Sequence, residues 1–235
     1  MRRLHPGPLA GLSGLVALLV LLEVTVGLSW PGWVVGAICG LVSTVALSAG
    51  MSRVGSAALG PADRVTLGRT VLIGGVAALV ADAFVQPPEL SVLVPLAAVA
   101  LLLDGVDGRV ARRTGTASAL GARFDMEADS AFVFILSVHV ARDLGAWVLL
   151  LGAARYLFVA SGWLLPWLRA RLPFRYWRKV VASTESVVLI VAMAQVLPRG
   201  ITQAALVLAV GLLAESFGRD VWWLHRRRRL DSGPG

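Results

Sequence analysis

The sequence predicts an all-α fold, a polytopic membrane helix bundle of eight spans. Three observations predict it. First, 57% of the 235 residues are hydrophobic and only 15% charged, with a mean hydropathy of +0.77. Second, runs near or above the ~18 apolar residues needed to cross a bilayer recur throughout. Third, stretches such as Leu9–Trp30 and Gly32–Ala49 lack the regularly spaced polar residues of a soluble amphipathic helix.

Leu9–Leu28 and Gly32–Gly50 read as a helical hairpin turned at Trp30, Pro31 and Gly32, with Trp30 and Trp33 suited to an interface. Arg2 and Arg3 before an apolar run resemble a signal peptide. That run is long, contains Glu23 and leads straight into a second span, so a retained helix is expected. The more polar Met51–Leu67 reads as a cytoplasmic connector, partly a helix lying on the membrane. The remaining spans are expected at Arg69–Phe84, Leu90–Val110, Gly115–Val140, Ala146–Trp167, Val180–Leu197 and Ile201–Leu224. Pro87 and Pro88, Arg142 to Gly145, and Pro198 to Gly200 mark outer turns. The domain reading is thus a hairpin over 1–51, a connector over 52–68, a six-helix membrane domain over 69–224 and a loosely ordered basic tail over 225–235.

The net charge of +8 does not point to nucleic acid, because the cations sit where apolar segments end. Arg2/Arg3, Arg53/Arg64/Arg69, Arg109/Arg112/Arg113, the group from Arg169 to Lys179, and Arg226 to Arg229 fall on alternate ends of successive spans, while the intervening turns carry little beyond Arg142 and Arg199. By the positive-inside rule both termini lie in the cytoplasm. Basic edges also attract anionic membrane lipids. Cys39 is the only cysteine, which excludes an intrachain disulfide or a thiolate metal site, and His5, His139 and His225 are too scattered for a histidine zinc site.

Four acids stand beside this apolar sequence. Asp104, Asp107, Gly108 and Ala111 follow i, i+3, i+4, i+7 spacing and share one helical stripe; Gly121, Asp125 and Asp129 share a second by i, i+4, i+8. Two helices can therefore face each other with all four acids between them. Clustered carboxylates at a membrane edge need protons or cations to neutralise them, so the pattern reads as a cation site. Hard oxygen donors favour magnesium or manganese, with calcium possible, and two divalent ions would balance four negative charges. Glu127 points to a different helical face and is not expected as a ligand.

Asp104-x-x-Asp107-Gly108-x-x-Ala111-Arg112, eight residues, then Gly121-x-x-x-Asp125-x-x-x-Asp129 resembles the complete signature of the CDP-alcohol phosphotransferases, membrane enzymes of phospholipid synthesis. The resemblance covers Pro61–Leu224 and leaves the first hairpin as an extension, a packing or partner module. It implies a six-helix core and a homodimer. It also implies transfer of a phosphatidyl group from CDP-diacylglycerol to a polar alcohol, with release of CMP. Asp104, Asp107 and Asp125 would then be metal ligands, and Asp129 would serve near the second ion as both ligand and catalytic base, roles that compete. Asp104, Gly108, Ala111, Arg112 and Gly121 would contact the CDP donor, the small residues leaving room and Arg112 pairing with phosphate.

Asp63-x-x-Thr66-x-x-Arg69 resembles a family segment that commonly begins with Asn; Thr66 would support nucleotide binding and Arg69 a phosphate or helix anchor, or these residues simply cap a helix. Arg155 lies inside an apolar span where the family often has an Arg-Asp pair, but Tyr156 replaces the acid; Arg155 would hold an acceptor phosphate or pair with an acid such as Glu185. Arg175, Arg178 and Lys179 would bind an anionic acceptor or serve only as topological anchors. The acceptors considered are glycerol 3-phosphate, inositol phosphate and phosphatidylglycerol. The expected location is a bacterial cytoplasmic membrane with the site facing the cytoplasm. Two other classes compete: a cation transporter built on the acids, and an inactive lipid-binding or assembly protein.

Overall fold

The computed structural model describes residues 6–54, 61–114, 119–165, 167 and 176–231. Among them are eight α-helices: α1 (Pro6–Val26), α2 (Trp30–Val54), α3 (Pro61–Asp82), α4 (Leu90–Thr114), α5 (Ala119–Leu144), α6 (Leu149–Leu164), α7 (Tyr176–Ala194) and α8 (Arg199–Asp231). A 3-10 turn, Ala146–Val148, precedes α6. Five helices carry stretches long and apolar enough to cross a membrane: Gly7–Val26, Trp30–Ser52, Asp63–Asp82, Ala146–Leu164 and Arg199–Arg227. The chain is an integral membrane protein. Of the eight spans expected, α4 is apolar only over Leu90–Val106. The charged residues of α5 and α7, among them Asp125, Asp129, Arg178 and Glu185, lower their hydropathy.

Several boundaries differ from the sequence reading, each for a local reason. The hairpin turns at Gly27–Ser29, earlier than expected. Gly27 takes φ +71°, a left-handed conformation that suits glycine after a helix, and its amide donates to Glu23 O at 3.0 Å. Pro31 then falls in the first turn of α2, where a missing N–H costs nothing. Pro61 likewise opens α3, with Asp63 in its first turn, so Thr66 is helical rather than part of a connector. Gly145, at φ +103°, ends α5. At the other end of the chain α8 continues to Asp231, so the basic run Arg226 to Arg229, expected to be loosely ordered, is helical.

The chain forms two compact units, Met1–Ile135 and Leu136–Gly235. In the first, α3 is the central helix and packs on α1, α2 and α4. Ile73, Val76, Ala77 and Val80 of α3 are buried, whereas Val16, Val20, Leu21, Ile38, Leu41 and Val45 on the hairpin are exposed, as lipid-facing residues should be. Glycines on α2 and α3 let the helices approach. A Cβ at Gly36 would meet Leu19 Cδ2 at 2.7 Å, one at Gly74 Leu15 Cδ1 at 2.8 Å, and one at Gly75 Leu18 Cδ2 at 2.6 Å. The C-terminal end of α3 is tied to the hairpin turn: buried Asp82 accepts from Ser29 N at 2.6 Å and from Gln86, whose amide also donates to Gly27 O at 2.9 Å.

In the second unit α7 packs on α8. Trp177 Nε1 donates to Glu215 Oε2 at 3.0 Å, and Phe158 meets Phe217 with ring centroids 5.3 Å apart. Along the last turns of α8, Arg226 stacks 4.2 Å over Trp222 and Arg227 5.3 Å over Trp223. The end of α5 is stitched to the turn between α7 and α8 by Asp143, which accepts from Gln195 Nε2 at 3.0 Å and, through its carbonyl, from Arg199 at 2.8 Å.

Candidate functional site

The two acid stripes meet within the first unit. Asp104 lies toward the end of α4 and Asp125 and Asp129 in the first half of α5; one ligand oxygen from each lies within 4.8 Å of the others. Like charges this close repel, and a cation answers them. Arg69, one turn along α3 from Thr66, reaches into the group: Nη1 lies 2.6 Å from Asp104 Oδ1 and 2.7 Å from Asp125 Oδ1, and Nη2 lies 2.5 Å from Asp129 Oδ1. Nη2 also donates to the Asp125 carbonyl at 3.4 Å. The guanidinium side chain is 2% exposed, while those of Asp104, Asp125 and Asp129 are 23%, 35% and 47% exposed. Arg69 therefore approaches from the protein interior and leaves the acids open on their opposite side.

The spacing of the residues explains the convergence. Arg69 sits just over two turns into α3, and α3 packs on α4 so that Arg69 meets Asp104 in the second half of that helix. Thr66 is buried one turn before Arg69, its carbonyl accepting from Thr70 Oγ1 at 2.8 Å. Gly121 is half-buried in the first turn of α5, on the Asp125 stripe. Asp107, Gly108, Ala111 and Arg112 belong to α4, but their side chains lie outside the described residues. A carboxylate set of this kind fits a hard divalent cation. Arg69 is the residue that sequence reasoning placed too loosely, as a phosphate or helix anchor.

A family model described as CDP-alcohol phosphatidyltransferase matches residues 59–214, a stretch that holds Thr66, Arg69 and all four acids. The chain belongs to the CDP-alcohol phosphatidyltransferase family. Comparison with curated proteins and with solved structures found no match. As a CDP-alcohol phosphatidyltransferase family member it is a transferase of phospholipid synthesis, acting on CDP-alcohol substrates in a membrane. The family uses divalent metals, and the three gathered carboxylates are a set that could hold one. The hairpin α1–α2 lies outside the family match yet packs directly on α3.

The residues considered for an acceptor lie in the second unit. Arg155 is half-buried on α6. Arg178 Nε pairs with Asp220 Oδ2 at 3.2 Å, the Asp220 side chain being 6% exposed. Lys179 is exposed on the same helix, α7, beside an open groove of about 370 Å³ lined by Val180, Ser183, Thr184, Val187 and Val188. Glu185 is buried, and its Oε1 has no hydrogen-bond partner among the described residues. Arg175 lies outside the described residues.

Proposed function

We propose that this protein transfers a phosphatidyl group from CDP-diacylglycerol to an alcohol acceptor, releasing CMP, at a divalent-metal site on the cytoplasmic face of the membrane. The observation that carries this reading is the convergence of Asp104, Asp125 and Asp129 within 4.8 Å in a chain of this family. These three, with Asp107, would hold two ions, magnesium or manganese. When bound, such ions orient a diphosphate and offset charge on the attacking and leaving oxygens.

The chain's own residues then divide the work. Asp129, the most exposed of the three, accepts the proton of the acceptor hydroxyl. As that oxygen bonds to the lipid-bearing phosphorus, the bond from this phosphorus to the bridging oxygen breaks and CMP departs with that oxygen. Gly108, Ala111 and Gly121 leave space for the nucleotide, Thr66 supports it, and Arg112 pairs with phosphate. Arg155, Arg175, Arg178 and Lys179 favour an acceptor that carries a phosphate, such as glycerol 3-phosphate, inositol phosphate or phosphatidylglycerol. The homodimer in this reading rests on the family alone.

The test is incubation of the purified protein in lipid with CDP-diacylglycerol, magnesium or manganese and a panel of acceptors, measuring CMP and lipid products. Acceptor-dependent CMP release that disappears in Asp129→Asn is expected. Metal-dependent ion flux without CMP would replace this reading with transport, and lipid binding with neither activity would replace it with an assembly role.

A further inference from the structure

We propose that Arg69 is the resident counter-cation of the acid cluster and competes with divalent ions for its charge: the guanidinium holds Asp104, Asp125 and Asp129 to α3 through contacts that a bound metal would weaken without breaking. The inference rests on the reading of these acids as metal ligands.

The geometry places the guanidinium among the acids that a cation would use. A single guanidinium contacts a carboxylate oxygen of all three acids that converge, at 2.5 to 2.7 Å. Those three acids are also the described set whose ligand atoms lie close enough to share an ion. Arginine stays protonated under all ordinary conditions, so Arg69 cannot yield by losing its charge, and a dication entering among its partners is repelled by it. The guanidinium is almost wholly buried and the acids are not, so ions arriving from water meet carboxylates already drawn toward the interior. Burial keeps the contacts in place: three clustered carboxylates without a cation would repel one another, and an arginine this deeply buried is costly to leave without a carboxylate partner.

The charge balance gives Arg69 a use in the loaded state. With Arg69, the four acids of the signature carry three net negative charges. Two divalent ions leave one positive charge in excess, a surplus that suits an anionic diphosphate and would be missing without the arginine.

The experiment compares the full-length wild type with Arg69→Met and Arg69→Lys in lipid nanodiscs. Mn2+ affinity is read by electron paramagnetic resonance, and thermal unfolding is followed in chelator and in saturating Mn2+. In Arg69→Met, Mn2+ should bind about tenfold more tightly, the size of a typical coupling between two competing ligands. Its unfolding temperature should drop in chelator and largely recover with Mn2+. Arg69→Lys, which keeps the charge but loses the planar fork, should fall between. Unchanged or weaker Mn2+ binding in both variants, or an equal loss of stability with and without Mn2+, would overturn the proposal; should Arg69→Met fail to fold even with Mn2+, the affinity of Arg69→Lys decides. Wild-type CMP release that depends on Mn2+, alongside unaltered variant affinities, would sink this inference and leave the transferase reading standing. A wild type that binds no Mn2+ would sink both.

Discussion

Asp125 meets Arg69 twice, through its carboxylate at 2.7 Å and its carbonyl at 3.4 Å. Replacing it by asparagine keeps the shape and removes one negative charge from the metal-binding set. Asp125→Asn is expected to lower metal-dependent CMP release by about a hundredfold or more, in the range seen when a preorganised electrostatic partner is lost. Thr66→Val, by contrast, should leave metal binding intact and raise the apparent KM for the CDP donor, which steady-state kinetics would check. The pairing of Asp125 with Asp129 was legible in the sequence because a helix repeats every three to four residues, so the two announce a shared face without any knowledge of the fold. Arg69 was not legible in the same way. Its partners lie 35, 56 and 60 positions along the chain, and no local periodicity links them to it.

At the level of helices, α3 is fastened at both ends, by Arg69 to the acids and by Asp82 to the hairpin turn. Asp82→Ala removes the acceptor for Ser29 N–H and Gln86, and leaving such a donor unsatisfied costs about 1–3 kcal/mol. The expected result is a lower unfolding temperature and faster proteolysis at Gly27–Ser29. Gly75→Leu attacks the same contact from within, since even a Cβ there would meet Leu18 Cδ2 at 2.6 Å and Leu96 Cδ2 at 3.2 Å. Overpacking of this kind costs about 1–3 kcal/mol and should separate the hairpin from α3. Helix positions were readable from apolar runs and from Pro and Gly. Their ends were less so, because Pro31 and Pro61 open helices rather than close turns, and because the stacked Trp and Arg side chains of α8 accompany a helix that continues past its apolar segment.

At the scale of the whole molecule, the hairpin outside the family match is a structural part of the first unit, not an appendage. It covers the face of α3 that carries Leu67, Val71, Gly74 and Gly75, and without it these positions would lose their packing against Gly11, Gly14, Leu15 and Leu18. A chain lacking residues 1–54 should therefore unfold at a lower temperature and lose transferase activity in parallel with stability, measured side by side on the same preparations. Orientation is open to a direct check. A single cysteine at Glu89, in a Cys39→Ala background, should react with an impermeant maleimide from outside intact cells, and one at Arg226 only after lysis, as expected from the distribution of cations. The fold class was legible because hydrocarbon imposes a simple composition on every span. The inner arrangement was not, because glycine contacts such as Gly36 with Leu19 depend on which helices become neighbours.

The triple ion pair at Arg69 also bears on how the protein comes to be made. A newly synthesised chain must enter the bilayer before it has met any metal, and bare aspartates at a helix end oppose that entry. Because the chain brings its own arginine to them, these acids have an internal counter-charge as the helices assemble; on the proposed metal reading, a metal-starved cell would then accumulate folded protein rather than degraded chain.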